Sequence, residues 1–144
     1  MNFDFSTGVQ ECVINGKCTV YVNLTDTTFI EAIFNAFDEL DELENKMRPE
    51  IEKAATGKEV FDLARERDAK SREIVNGIFG EDVCSPIFGK MSINAAGDGL
   101  PLWANMLLAF IDSMDTALAQ EKKRTNPRLQ KYVDKYQKYN KQNK

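Results

Sequence analysis

The stretch that decides the fold is Gly97-Asp-Gly-Leu-Pro-Leu-Trp-Ala-Asn-Met-Leu-Leu-Ala-Phe-Ile-Asp-Ser-Met-Asp-Thr-Ala-Leu-Ala119. It is the most apolar part of the chain and holds its only tryptophan. Leu102, Trp103, Met106, Leu107, Phe110, Ile111, Met114 and Leu118 recur at steps of one, three and four. That spacing belongs to a helix that buries a broad face. Gly97 and Gly99 interrupt what precedes it, and Pro101 suits a first helical turn. Asn105 and Asp112 fall inside the run, which is too short and too interrupted to span a bilayer. The spacing predicts a central core helix with Trp103 largely buried.

Upstream, residues 80–99 read as a connector in which Asp82 caps a short helix ending at Phe88-Gly89. Before it, Thr56 and Glu59 form a capping box. Val60, Phe61, Ala64, Arg67, Ser71, Ile74, Val75 and Ile78 then trace a helix that Gly80 stops. The middle of this helix, residues 65–72, alternates in charge and reads as a surface laced with intrahelical ion pairs rather than a nucleic-acid stripe. Further back, Thr28 with Glu31 offers another capping box, with Thr25 or Asp26 as alternative caps. Phe29, Ile30, Ile33, Phe34, Phe37, Leu40, Leu43, Met47 and Ile51 form a long apolar stripe, which Pro49 is expected to kink or break near Met47. The short link at residues 54–56 makes the two helices an antiparallel pair. Asp38, Asp41 and Glu42 share the outer side and read as a solvated acidic face, not a metal site.

Residues 9–24 carry the strand signal. Asn15-Gly16 suits a two-residue type I′ turn between segments rich in Val, Thr and Tyr. A two-residue turn pairs Ile14 with Lys17, Val13 with Cys18 and Cys12 with Thr19. It puts Val9, Val13, Cys18, Val20 and Val22 on one face and Cys12, Ile14 and Tyr21 on the other. Cys12 and Cys18 then point apart and cannot bond to each other. Phe3 and Phe5 suggest a short extra strand. Downstream of the core helix, Asn126 and Pro127 open a final amphipathic helix. Leu129, Tyr132, Val133 and Tyr136 lie on one side of it, and lysines on the other.

The fold class is therefore mainly α (α+β). An N-terminal β-hairpin leads into an antiparallel pair of long helices, a core helix and a C-terminal amphipathic helix. The expected division is one helical domain with its hairpin over residues 1–121 and a basic helix or tail over 122–144.

Charge sharpens that division. The net charge of −4 combines nine Lys/Arg and one Asp in residues 122–144, net +8, with ten Lys/Arg and 22 Asp/Glu before them, net −12. An acidic body with a basic tail is a pattern of interaction arms. Histidine is absent, which removes the commonest general acid/base and the usual metal ligand. Gly97-Asp98-Gly99 has the spacing of neither glycine fingerprint for phosphates. Cys84, with no histidine to activate it, reads as a buried thiol. No catalytic residue, cofactor or metal is expected. An odd number of cysteines without a recognisable export signal points to reduced, free thiols in a cytosol.

This order of parts carries a resemblance. A hairpin turning at Asn15-Gly16, a long acidic helix, a charged helix ending in Ile78-Phe79-Gly80, a Phe88-Gly89-Lys90 connector, an apolar helix and a lysine-rich end follow in turn. The chain resembles the small tail-assembly proteins of long-tailed bacteriophages and prophages, often classed as tail assembly chaperones, over roughly residues 9–121. The resemblance is one of architecture. It implies a non-enzymatic role: holding the aggregation-prone tape measure protein soluble and helping to recruit tail tube subunits. Its implied partners are those two proteins and further copies of the chain, with neither membrane nor nucleic acid. The alternative is a nucleic-acid-binding module built on the lysine-rich end, against which the acidic body weighs. The partner-binding residues expected from the amphipathic pattern are Leu129, Tyr132, Val133 and Tyr136, docking as a helix in a groove.

Overall fold

A computed structural model describes residues 1–123 and Asp134. Two strands, β1 (Gln10–Ile14) and β2 (Cys18–Val22), form an antiparallel hairpin. Helices α1 (Thr27–Lys53) and α2 (Gly57–Phe79) follow as an antiparallel pair, then the short α3 (Cys84–Phe88). A two-residue ladder of β3 (Ala96–Gly97) with β4 (Leu100–Pro101) leads directly into α4 (Leu102–Lys123). The mainly helical α+β class expected from the sequence is the class observed, up to the end of α4. The final amphipathic helix falls on residues outside those described.

Capping fixes the long helices. Asp26 is the cap of α1, its carboxylate accepting the Thr28 N–H at 3.0 Å, so Thr28 itself is inside the helix. Thr56 caps α2 by accepting the Glu59 N–H at 3.2 Å. The Glu59 carboxylate reaches back to the Ala55 N–H at 2.9 Å, one residue short of the reciprocal bond in a standard capping box. Gly80 ends α2 at φ +70, a left-handed position that costs glycine nothing.

The break expected at Pro49 does not occur; α1 continues through it to Lys53. Proline removes one hydrogen bond there, but only the last turn lies beyond it. The buried Met47 anchors the helix just before it.

The core gathers Phe29, Ile33 and Leu40 of α1, Val75 of α2, Val83, Ile87 and Ile93 around α3, and Trp103, Leu107, Phe110 and Met114 of α4. Phe29, Phe79 and Phe110 meet at centroid distances of 5.4–5.9 Å. Trp103 is 3% exposed, as its apolar neighbours require, and Phe37 stands edge-on to it at 5.5 Å. Its indole N–H has no hydrogen-bond partner, an omission that costs a buried donor about 1–3 kcal/mol. Contacts Phe29–Phe110 and Phe37–Trp103 run α1 and α4 antiparallel. Four positions of the expected stripes are exposed instead: Phe34, Phe61, Ala64 and Leu118.

The hairpin differs from expectation in register. Asn15 and Gly16 both have positive φ, and the Lys17 N–H bonds to the Ile14 carbonyl at 2.9 Å, so the tight turn is present. Yet Ile14 pairs with Cys18, Val13 with Thr19 and Cys12 with Val20; Lys17 stands outside the ladder as an extra residue. One residue of slip exchanges the faces of one strand relative to the other. Cys12, Ile14, Cys18, Val20 and Val22 pack against the core, while Val9, Val13 and Tyr21 are exposed. Cys12 and Cys18 thus share a face as diagonal neighbours. That geometry sets Cα atoms about 7–8 Å apart, beyond easy disulfide reach. All three cysteines are free thiols. Phe3 and Phe5 form no strand: residues 1–9 are an exposed segment without regular structure.

Candidate partner-binding groove

One face of α2 organises the connector. Asp68, Ser71, Arg72 and Asn76 recur at helical spacing, and each reaches beyond its own helix. Asp68 accepts the Ile93 N–H at 2.8 Å and pairs with Arg72 at 3.0 Å. Arg72 donates to the carbonyls of Gly89 at 2.8 Å and Met91 at 2.7 Å. The Asn76 side-chain oxygen accepts from Val83 and Cys84 at 2.9 and 3.0 Å, capping α3 from outside it. Asp82 adds a bond from the Ser85 N–H at 3.1 Å. Hydrogen bonds from Ser85 hold the Asp82 carboxyl below its ordinary value, with Asn76 and Arg72 adding to the effect. Ser71, the one buried polar residue among those described, exchanges hydrogen bonds with Asn94. The connector then hands over to α4: Leu102 and Trp103 donate to the carbonyls of Ala95 and Ile93 at 2.8 and 3.1 Å. The charged middle of α2 does carry its expected pairs, Arg65–Asp62, Lys70–Glu66 and Arg72–Asp68. A further bridge, Arg67–Glu44 at 3.7 Å, crosses to α1.

Held this way, α3 and the start of α4 face the hairpin across an open groove of about 410 Å³. Strand β1 lends Cys12, Val13 and Ile14; α3 lends Ile87 and Phe88; α4 lends Leu102, Met106 and Phe110. Asn15, Asn105 and Ser113 are its polar members, and Asn105 is itself tied to the Gly97 carbonyl at 2.8 Å. A second depression of about 330 Å³ continues past Leu24 between Gln10 and the Ser113–Gln120 part of α4. Among the described residues, the only titratable side chain lining the main groove is Cys12, whose thiol is raised by burial and therefore neutral at neutral pH. This is the chemistry of apolar contact with a few orienting amides.

The other sequence-derived sites fall elsewhere. Leu129, Tyr132, Val133 and Tyr136 lie outside the described residues. Asp38, Asp41 and Glu42 are exposed on α1, and no three His, Cys, Asp or Glu among the described residues come together as metal ligands. Cys84 is fully buried, its thiol pushed up to about 11 by that burial, and it contacts the Arg72 carbonyl at 3.9 Å. No helix among the described residues is long and apolar enough to cross a membrane.

Sequence reasoning missed the groove because its walls come from residues 12–14, 87–88 and 102–110, far apart in the chain. The legible signal was the run of polar residues 68, 71, 72 and 76 along one face of α2, which a purely solvated helix does not need. Comparisons with protein-family models, with curated proteins and with solved structures find no match to this chain.

Proposed function

We propose that this chain is a non-enzymatic assembly protein of the tail assembly chaperone kind, which binds apolar segments of a tape measure protein and brings tail tube subunits to it. The observation that supports the reading is the groove between β1, α3 and α4. It is open and apolar, and its one titratable lining group among the described residues is a neutral thiol, so it suits holding a hydrophobic segment away from water. The order of hairpin, acidic helix, charged helix and apolar helix supports it as well.

The test is co-expression of overlapping tape measure fragments with this chain, scored by the fraction of each fragment that stays in solution. At least one fragment is expected to move from pellet to supernatant. Ala109→Arg adds a long charged side chain at an exposed position of the groove wall and should abolish that gain while leaving the fold intact. A complete set of fragments that all remain insoluble would sink the proposal.

A further inference from the structure

Three consecutive residues of β1, Cys12 to Ile14, and the turn residue Asn15 line the groove, and no residue of β2 does. Neighbouring residues of a strand point to opposite faces, so a wall made of consecutive residues is the strand's edge, not its face. β1 is bonded to β2 alone among the described residues, which leaves that edge unpaired. The groove therefore has a free strand edge along one side and the apolar surface of α4 along the other. A site of this shape accepts an added strand, whose backbone bonds to the edge and whose alternate side chains fill the groove.

The chain carries a segment of matching chemistry. Met1, Phe3 and Phe5 alternate with Asn2, Asp4 and Ser6, the period of a strand with one apolar face. Phe3 is 80% and Phe5 76% exposed, so nothing among the described residues covers them. Six residues span about 20 Å as a strand, close to the roughly 17 Å of a five-residue edge such as β1. The root of the segment is tied at the open end of the hairpin, while the strand wall of the groove, Cys12 to Asn15, lies toward its turn. The Asn23 side chain, just beyond the end of β2, donates to the Thr7 carbonyl at 2.8 Å, and Gly8 turns there at φ +71.

We infer that residues 1–6 of one copy of this chain add as a strand to the free edge of β1 in a second copy, with Phe3 and Phe5 in the groove over α4. Reciprocal exchange buries four phenylalanines of about 150–250 Å² each together with the matching groove walls. That total reaches the ~1,000 Å² or more that a specific interface needs. The exchange stands whether or not a tape measure segment uses the same groove.

The test is the mass of the full chain in solution by light scattering, compared with a variant lacking residues 2–6 and with Phe3→Ser/Phe5→Ser. The unaltered chain should run as a multiple of 16.3 kDa and both variants as single chains, with unchanged circular dichroism. In a Phe5→Cys variant carrying Cys18→Ser, oxidation should join two chains covalently, and adding Cys12→Ser should remove the bond. A single-chain mass for the unaltered protein overturns the inference. So does a multiple that survives the deletion, or a disulfide that closes within one chain. Fragment binding by the shortened variant reports on the chaperone reading separately, since it retains the groove.

Discussion

The two sides of this molecule solve the polar-group problem in opposite ways. On the α2–connector side, Asp68, Arg72 and Asn76 satisfy backbone groups of residues 83–93, Ser71 pairs with the Asn94 side chain, and the apolar residues beneath, Val75, Val83 and Ile93, are fully closed off. On the hairpin side, a two-stranded ladder leaves the outer edges of both strands unpaired among the described residues, and Phe3, Phe5, Val9, Val13 and Tyr21 face solvent. A region whose backbone groups are tied by side chains and whose core is closed has less to offer a partner. A region with an open edge and uncovered aromatics does. The contrast places the closed, hydrogen-bonded packing on one side and, on the proposed reading, recognition on the other.

The strongest way to break this contrast is Ile93→Ala. Ile93 is fully buried, and both its backbone groups are tied, to Asp68 and to Trp103. The expected loss is about 2–5 kcal/mol in denaturant unfolding. A loss below about 0.5 kcal/mol would place the corner outside the cooperative core.

Asp68→Ala comes next. It orphans the Ile93 N–H and removes the partner that orients Arg72, for an expected cost of about 1–3 kcal/mol. Because that pair is only partly buried, most of the cost is the unsatisfied N–H, so added salt should recover little of it.

A smaller effect follows from Cys84. Its folded thiol titrates near 11, above the ordinary value of 9.0, so the folded state holds its proton longer than the unfolded state does. The associated stability is complete below pH about 9 and is lost as pH rises toward 11. Cys84→Ala should flatten the fall in melting temperature across that window relative to the unaltered chain. Equal slopes would show that the thiol does not sense its burial.

The smallest effect belongs to the open side. Phe3→Ser/Phe5→Ser and Val13→Thr should each leave monomer stability within about 0.5 kcal/mol by chemical unfolding of dilute protein, because these side chains are exposed. A loss comparable to that of Ile93→Ala would erase the contrast between the two sides.

Much of the fold was legible locally. Thr56, Gly80, Asn15 and Gly16 act through backbone geometry within a few residues of themselves, so caps, stops and the turn could be read directly. The buried face of α4 followed from spacing, since Trp103, Met106, Leu107, Phe110 and Met114 repeat at helical intervals and all are buried. The hairpin register was not legible. Turn type is set by Asn15 and Gly16, but whether Lys17 joins the ladder depends on which face the core rewards. Packing chose the face that buries Cys12, Ile14 and Val20 over the one holding Val9 and Val13.

By itself, then, the sequence determined the element order, the helix ends and the core helix, because propensity, capping and periodicity act over one or two turns. Tertiary structure alone decided the continuity of α1 through Pro49, the strand register, the strapping of residues 82–94 by α2, and the groove. Each of these balances a local preference against tertiary contacts, some between residues as far apart in the chain as Cys12 and Phe110, and no short-range pattern encodes which side wins.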